Sequence, residues 1–319
     1  MREIQIERYT PEMEGDWNDF VAASRNGTFL FNRGYMDYHA DRFRDHSLLA
    51  KSKGKILAML PACERESGGE RLLSSHAGLT YGGWILKGCH TYASDMLGIF
   101  SALREYAVSE GFNALDYKPI PYIYAAMPSE DDRYAIFREG GGIRECNIAS
   151  VIDMRQNPGF NTQQKRNLKR GVAGGAEIIE TQDVGRFYTL LQSCLRERYD
   201  VSPVHSESEL RLLSGRFPSN IKFFMALGGG GEAEAGVCVY DTGRVAHVQY
   251  ICSSEAGREK GSLTLLFSHL IGRIYAGREY FDFGTSNEMG GRVLNEGLNR
   301  QKCGLGGSGV AYERYLIRY

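Results

Sequence analysis

The 319-residue chain is short of several things, and each shortage narrows what it can be. With only eight prolines, no proline-rich linker runs through it. Formal net charge is −1, from 38 basic and 39 acidic residues, so no global field draws the chain to DNA or to anionic lipid. No window approaches the roughly 18 consecutive apolar residues of a membrane-spanning helix. The opening MREIQIERYT is charged and alternating, without the apolar stretch of a secretion signal. A cytoplasmic protein without integral membrane association is therefore expected. Cys63, Cys89, Cys146, Cys194, Cys238, Cys252 and Cys303 are scattered, with no C-x-x-C and no histidine at zinc spacing. Such a set predicts reduced thiols and no metal site. No G-x-S-x-G elbow, H-E-x-x-H pair or Walker loop occurs, which disfavours a serine hydrolase, a zincin and a P-loop enzyme.

What is there is the composition of a globular protein, 42% hydrophobic and 24% charged, with 39 glycines for tight turns. The length suits two domains better than one core. The most informative stretch runs from Val245 to Gly284. Val245, His247, Gln249 and Ile251 alternate with Ala246, Val248, Tyr250 and Cys252, the period of a strand. A polar loop is expected from Ser253 to Ser262. Leu263, Leu266, Phe267, Leu270, Ile271 and Ile274 then recur at helical spacing, Gly277 is placed to close that helix, and Tyr280–Gly284 reads as a short strand. A strand–loop–helix unit aims loop amides at a helix N-terminus, where a phosphate can bind. Arg258, Lys260, Gly261 and Ser262 stand there, although an ordinary solvated connection fits the same pattern.

A second stretch repeats this one. Leu97–Tyr117 aligns without gaps to Leu263–Phe283, placing Gly111 on Gly277, Asp116 on Asp282 and Tyr117 on Phe283. Upstream, strands over 47–50 and 55–63 mirror strands over 221–227 and 235–240. The period is about half the chain, far longer than that of a solenoid repeat. Two copies of one mixed α/β domain follow, with a boundary expected at Asn157-Pro158-Gly159: residues 1–156 and 157–319.

Elsewhere, a strand is expected at Ile4–Glu7, a helix over 13–24, and an extended-to-helical aromatic segment over 28–43. Helices are expected over 131–138, 163–170, 187–199, 207–217 and 294–302, and strands over 149–154 and 309–318. Gly78, Gly82 and Gly83 surround Tyr81 and Trp84, either as a cleft wall or as an irregular strand. Pro119 stops the strand before it, turning Tyr117 and Lys118 toward a possible substrate edge. Gln163–Arg170 concentrates Lys165, Arg166, Lys169 and Arg170, which suits either an anionic partner or a solvated helix face.

These features resemble the FemABX-like group of tandem GNAT-fold acyltransferases. Asp282-Phe283-Gly284 resembles that family's strand ending in a DFG-like turn, and Asn299–Gly304 resembles its K-x-x-G segment with a shorter spacing. The phosphate loop of acyl-CoA-binding GNAT enzymes reads Q/R-x-x-G-x-G/A. Here Arg258 and Gly261 match, but Leu263 takes the last place, a departure that disfavours ordinary acetyl-CoA.

The resemblance implies acyl or aminoacyl transfer to an amino group of a cell-envelope or polysaccharide precursor. The donor would be acyl-CoA, an acyl carrier protein or aminoacyl-tRNA. Arg258, Lys260, Gly261 and Ser262 would hold donor phosphates, and backbone at Tyr250, Ile251 and Cys252 would polarise the carbonyl. Lys302, Asp282, Glu288 and His247 are the catalytic candidates. Asp282 also fits a structural carboxylate, since Asp116 repeats it, and His247 fits a hydrogen-bonded core histidine. Tyr117, Lys118, Arg166, Arg198, Tyr199, Gln249 and Asn287 are candidates for the acceptor. A non-catalytic two-domain binder of nucleotide-sugar or glycan precursors is the alternative.

Overall fold

Alternating strand and helix signals fold, in a computed structural model, into two mixed α/β units; residues 2–88 and 91–319 are described, the side chains of Arg198 and Tyr199 excepted. One unit comprises Met1–Asn147, Met289–Arg292 and Ala311–Tyr319, the other Ile148–Glu288 and Val293–Val310.

In the first unit the order is β1 (Gln5–Arg8), α1 (Glu14–Ala22), α2 (Arg33–Met36), β2 (Leu48–Ser52), β3 (Lys55–Leu60), β4 (Cys63–Ser67), β5 (Glu70–Ser74), β6 (Ile85–Leu86), α3 (Ala93–Ser109), β7 (Ala114–Tyr117) and α4 (Asp131–Arg138). Strands β1, β2, β3 and β6 pair antiparallel in that order. Strands β4 and β5 form a hairpin that the sequence reading passed over; Gly68 and Gly69 turn it with φ of 61° and 79°. Helix α3 lays Met96, Ile99, Phe100 and Leu103 into a core with Leu48, Leu60, Trp84 and Leu115.

In the second unit the chain runs through β8 (Gly142–Asp153, whose Ile148–Asp153 belongs here), α5 (Thr162–Ala173), β9 (Glu177–Thr181), α6 (Val184–Tyr199), α7 (Glu207–Arg216), β10 (Ile221–Leu227), β11 (Ala233–Asp241) and β12 (Val245–Ser253). Then come α8 (Glu255–Lys260), α9 (Ser262–His269), β13 (Tyr280–Thr285), β14 (Asn287–Glu288), β15 (Val293–Leu294), α10 (Glu296–Gly304) and β16 (Ser308–Arg318, which passes into the first unit from Ala311 onward). The sheet order is β9-β10-β11-β12-β13-β8, antiparallel except for the parallel pair β12/β13. Helix α9 and the turn that continues it bury Leu266, Phe267, Leu270 and Ile271 against Phe224, Val237, Phe281 and Phe283. Each such side chain contributes about 1.5–3 kcal/mol.

Three local expectations change. The segment after β12 is not a loop but helix α8, capped by Ser254 Oγ on Gly257 N at 3.1 Å and ended by left-handed Gly261 at φ 82°. Gly277 does not close α9; the helix widens into a π turn over Leu270–Ile274, with Tyr275 N donating to Leu270 O. Helix α10 begins at Glu296, because Val293 and Leu294 pair with Glu288 and Asn287 as a hairpin and Asn295 Oδ1 caps the helix from Leu298 N.

The two units repeat one register. Strands β5 and β7 run parallel and match Leu72, Leu73 and Ser74 with Ala114, Leu115 and Asp116. Strands β12 and β13 match Val245, Ala246 and His247 with Tyr280, Phe281 and Asp282. Each parallel ladder spans three pairs and ends on an aspartate, at the positions the internal alignment superposed.

Candidate functional site

The second unit's parallel ladder stops at His247–Asp282, yet β12 runs on to Ser253 and β13 to Thr285. Local chemistry accounts for the parting. Asp282 Oδ1 accepts from Gly284 N at 2.7 Å, which takes that amide out of the sheet. Gly284 adopts φ 72°, a left-handed conformation that a residue with a Cβ resists, and β13 loses register with β8 between Asp282 and Thr285. Lys302 Nζ then takes the carbonyls of Gly284 and Thr285 at 3.1 and 2.6 Å. On the other strand, Cys238 faces Tyr250 and Val239 faces Val248, leaving Gln249 as a bulge. The backbone of β12 is thus re-aimed just past His247.

At the parting point, the other Asp282 oxygen, Oδ2, lies 2.8 Å from His247 Nδ1. Both residues are buried, at 0% and 7% exposure. In the tautomer that donates Nδ1–H to the carboxylate, the acceptor nitrogen is Nε2, the arrangement of an imidazole oriented by a carboxylate. Lys302 is buried beside them, and desolvation pushes its ammonium down to about 8 despite the field of Asp282. Three of the four catalytic candidates therefore gather in one place. Glu288 does not share that burial: it is exposed on β14 and accepts from Asn295 Nδ2.

The remaining predicted residues fall as follows. Tyr250 meets His205 Nδ1 through its hydroxyl at 2.6 Å. Ile251 is half-buried, and burial pushes the Cys252 thiol well up while it donates to Gly236 O. Asn287 Oδ1 accepts from Ile148 N at 2.7 Å. Arg166 is exposed on α5 beside Lys165, Lys169 and Arg170. Arg198 and Tyr199 end α6, and their side chains lie outside the described set. Tyr117 and Lys118 belong to the first unit. There the Tyr117 hydroxyl donates to Asp132 at 2.7 Å, and Lys118, desolvated to about 8, donates to Leu79 O.

Sequence reasoning did not single out His205 or Ser286 as site residues. His205 reaches Tyr250 from 45 residues away. Ser286 is 1% exposed, with no partner for its Oγ among the described residues. Neither carries a local signal: the partner of His205 is brought near only by folding, and the burial of Ser286 is set by packing.

Residues 160–289 match the Acetyltransferase (GNAT) domain family. The chain carries a GNAT acyltransferase domain. Solved structures extend the likeness over the whole chain. FemX superposes with a TM-score of 0.71 at 11% identity, over 99% of this chain and 97% of that one. L-PGS from Bacillus licheniformis gives 0.60 at 13% identity, over 98% and 92%. A tandem GNAT protein from the clavulanic acid biosynthesis pathway gives 0.57 at 13% identity, over 99% and 98%. The fold is a FemX-like pair of GNAT units. No curated protein matches the sequence.

A GNAT domain implies an acyl donor, with acyl-CoA the general case. The α8–α9 turn does not fit a CoA pyrophosphate. Lys260 is ion-paired with Glu234, Ser262 Oγ donates to the same carboxylate, and Arg258 donates to Ser253 O. A Cβ on Gly257 or on Gly261 would meet protein backbone, so both glycines serve packing within the protein. Among the described residues no group of three or more His, Cys, Asp or Glu is arranged to hold a metal ion, and no helix is long and apolar enough to cross a membrane.

Proposed function

We propose that the second unit transfers an acyl or aminoacyl group from a thioester or ester donor to an amine, at the parting of β12 and β13. The observation that carries this is the His247–Asp282 pair at 2.8 Å where the parallel ladder ends. The acceptor nitrogen attacks the donor carbonyl while Nε2 of His247 receives its proton; the C–N bond forms, the C–S or C–O bond breaks, and the leaving group takes a proton. Backbone amides near the Gln249 bulge are the candidates to stabilise the oxyanion. Lys302 holds the end of β13 open and supplies positive charge beside the developing anion. Its third N–H has no hydrogen-bond acceptor among the described residues.

The acceptor is read as an amino group on a cell-envelope or polysaccharide precursor, and the setting as the cytoplasm. The names FemX and L-PGS among the fold neighbours and the unbridged thiols of the described cysteines support this reading.

The test is a donor-by-acceptor screen, scoring free thiol or deacylated tRNA, with His247→Gln and Asp282→Asn alongside. Loss of the base or of its orientation is expected to lower kcat by about 10²–10⁴ with KM little changed. Turnover within about two-fold of wild type in both folded variants would remove His247 from the chemistry.

A further inference from the structure

One residue of the neighbouring strand governs the turn after β12. Glu234 of β11 is fully buried, and its main chain and side chain both serve that turn. Its carbonyl accepts from Ser254 N at 3.0 Å and from the hydroxyls of Ser253 and Ser254 at 3.2 Å each. Its carboxylate accepts from Ser262 Oγ at 2.5 Å and pairs with the Lys260 ammonium.

The glycines that would let a ligand approach are spent in the same way. A Cβ on Gly257 would stand 2.0 Å from Glu234 O, and one on Gly261 would stand 2.3 Å from Asn167 O of α5. Ser262 is the first residue of α9, the end where unpaired N–H groups and the helix dipole favour an anion. The anion already held beside that end is Glu234. A donor phosphate brought there would meet a desolvated carboxylate whose cation and hydroxyl are engaged, and the two negative charges would repel.

We propose that Glu234 is a specificity-determining residue that stands in for the donor phosphate, so that the acyl donor of this chain places no nucleotide pyrophosphate on the α8–α9 turn. This rests on the reading of the β12–β13 parting as the transfer site, and adds which part of the donor that site does not recognise. The donor class that fits is a thioester or ester whose phosphates, if any, lie elsewhere.

Calorimetric titration of the full chain with coenzyme A and with pantetheine decides it, wild type beside Glu234→Gln, with thermal melts to check folding. Wild type is expected to bind coenzyme A no more than about ten-fold tighter than pantetheine, or to bind neither. The isosteric Glu234→Gln removes the charge and releases Lys260 and Ser262. It is expected to gain about ten-fold or more for coenzyme A, with pantetheine unchanged. A wild-type preference for coenzyme A above about ten-fold overturns the proposal, as does a folded Glu234→Gln with no gain. Should that variant fail to fold, the wild-type ratio decides alone. Because affinity and not turnover is measured, the outcome is independent of whether His247 and Asp282 carry the transfer.

Discussion

Asp282 is an economical residue: one carboxylate oxygen orients His247 and the other withdraws Gly284 N from the sheet. Its repeat partner Asp116 sits at the same register but spends its charge on Arg314 and Arg65 and faces a serine, Ser74, in place of a histidine. The same aspartate thus holds a histidine in one unit and serves as a counter-ion to arginine in the other, and the residue across the ladder decides which. Lys302 gives a residue-scale prediction. Its ammonium titrates near 8 when folded and near the ordinary 10.5 when unfolded, because burial disfavours the charged form. Between those values the unfolded chain holds a proton that the folded chain has lost, so stability rises with pH through that window. The stability of wild type relative to Lys302→Met should therefore climb from pH 8 upward, by at most about 1.4 kcal/mol per pH unit. Urea titrations at pH 7.5, 8.5 and 9.5 read this difference, and a flat one would mean that Lys302 is not desolvated.

The element that makes the site is β13, a strand built to leave its sheet halfway. Phe281 and Phe283 anchor it in the core, while Asp282, Gly284 and Lys302 turn its polar backbone away from β12. Gly284 is the hinge of that departure. A Cβ there would meet His247 Cε1 at 3.5 Å and Val248 O at 3.8 Å, ordinary contacts, so the cost of Gly284→Ala is conformational. About 1–2 kcal/mol of destabilisation is expected for forcing a side chain into the left-handed region. Denaturant unfolding measures it; a neutral result would show that β13 can part from β12 without that conformation. The short helix α8 belongs to the same scale. Its cap signals, Ser254 and Gly261, stand in the sequence, but six residues with mostly polar side chains show no periodicity that separates them from a loop.

At the scale of the whole molecule, the last strand closes the first unit. Tyr315, Leu316, Ile317 and Arg318 of β16 pair with β7, and Arg314 binds Asp116 across 198 residues of sequence. Asp116 is fully buried, so Arg314→Met leaves a desolvated carboxylate with only the 3.5 Å contact to Arg65 and should cost about 3–5 kcal/mol, with most of it recovered in Arg314→Met/Asp116→Asn. Thermal and denaturant melts of wild type, both single variants and the double variant test it, and additive losses would show that the pair is not coupled.

The sequence by itself determined the helices of strong apolar period, the strand alternation of 245–252, the duplication with its superposed aspartates, and the FemABX-like fold. Those features depend on residues near one another in the chain, whose spacing already encodes which face is buried. Only the tertiary structure decided that His247, Asp282 and Lys302 meet, that His205 joins Tyr250, and that Glu234 takes up the cation and the hydroxyl of the α8–α9 turn. Charges and hydrogen bonds act over a few ångströms of space, and which groups come that close is set by the packing of the sheet and its helices.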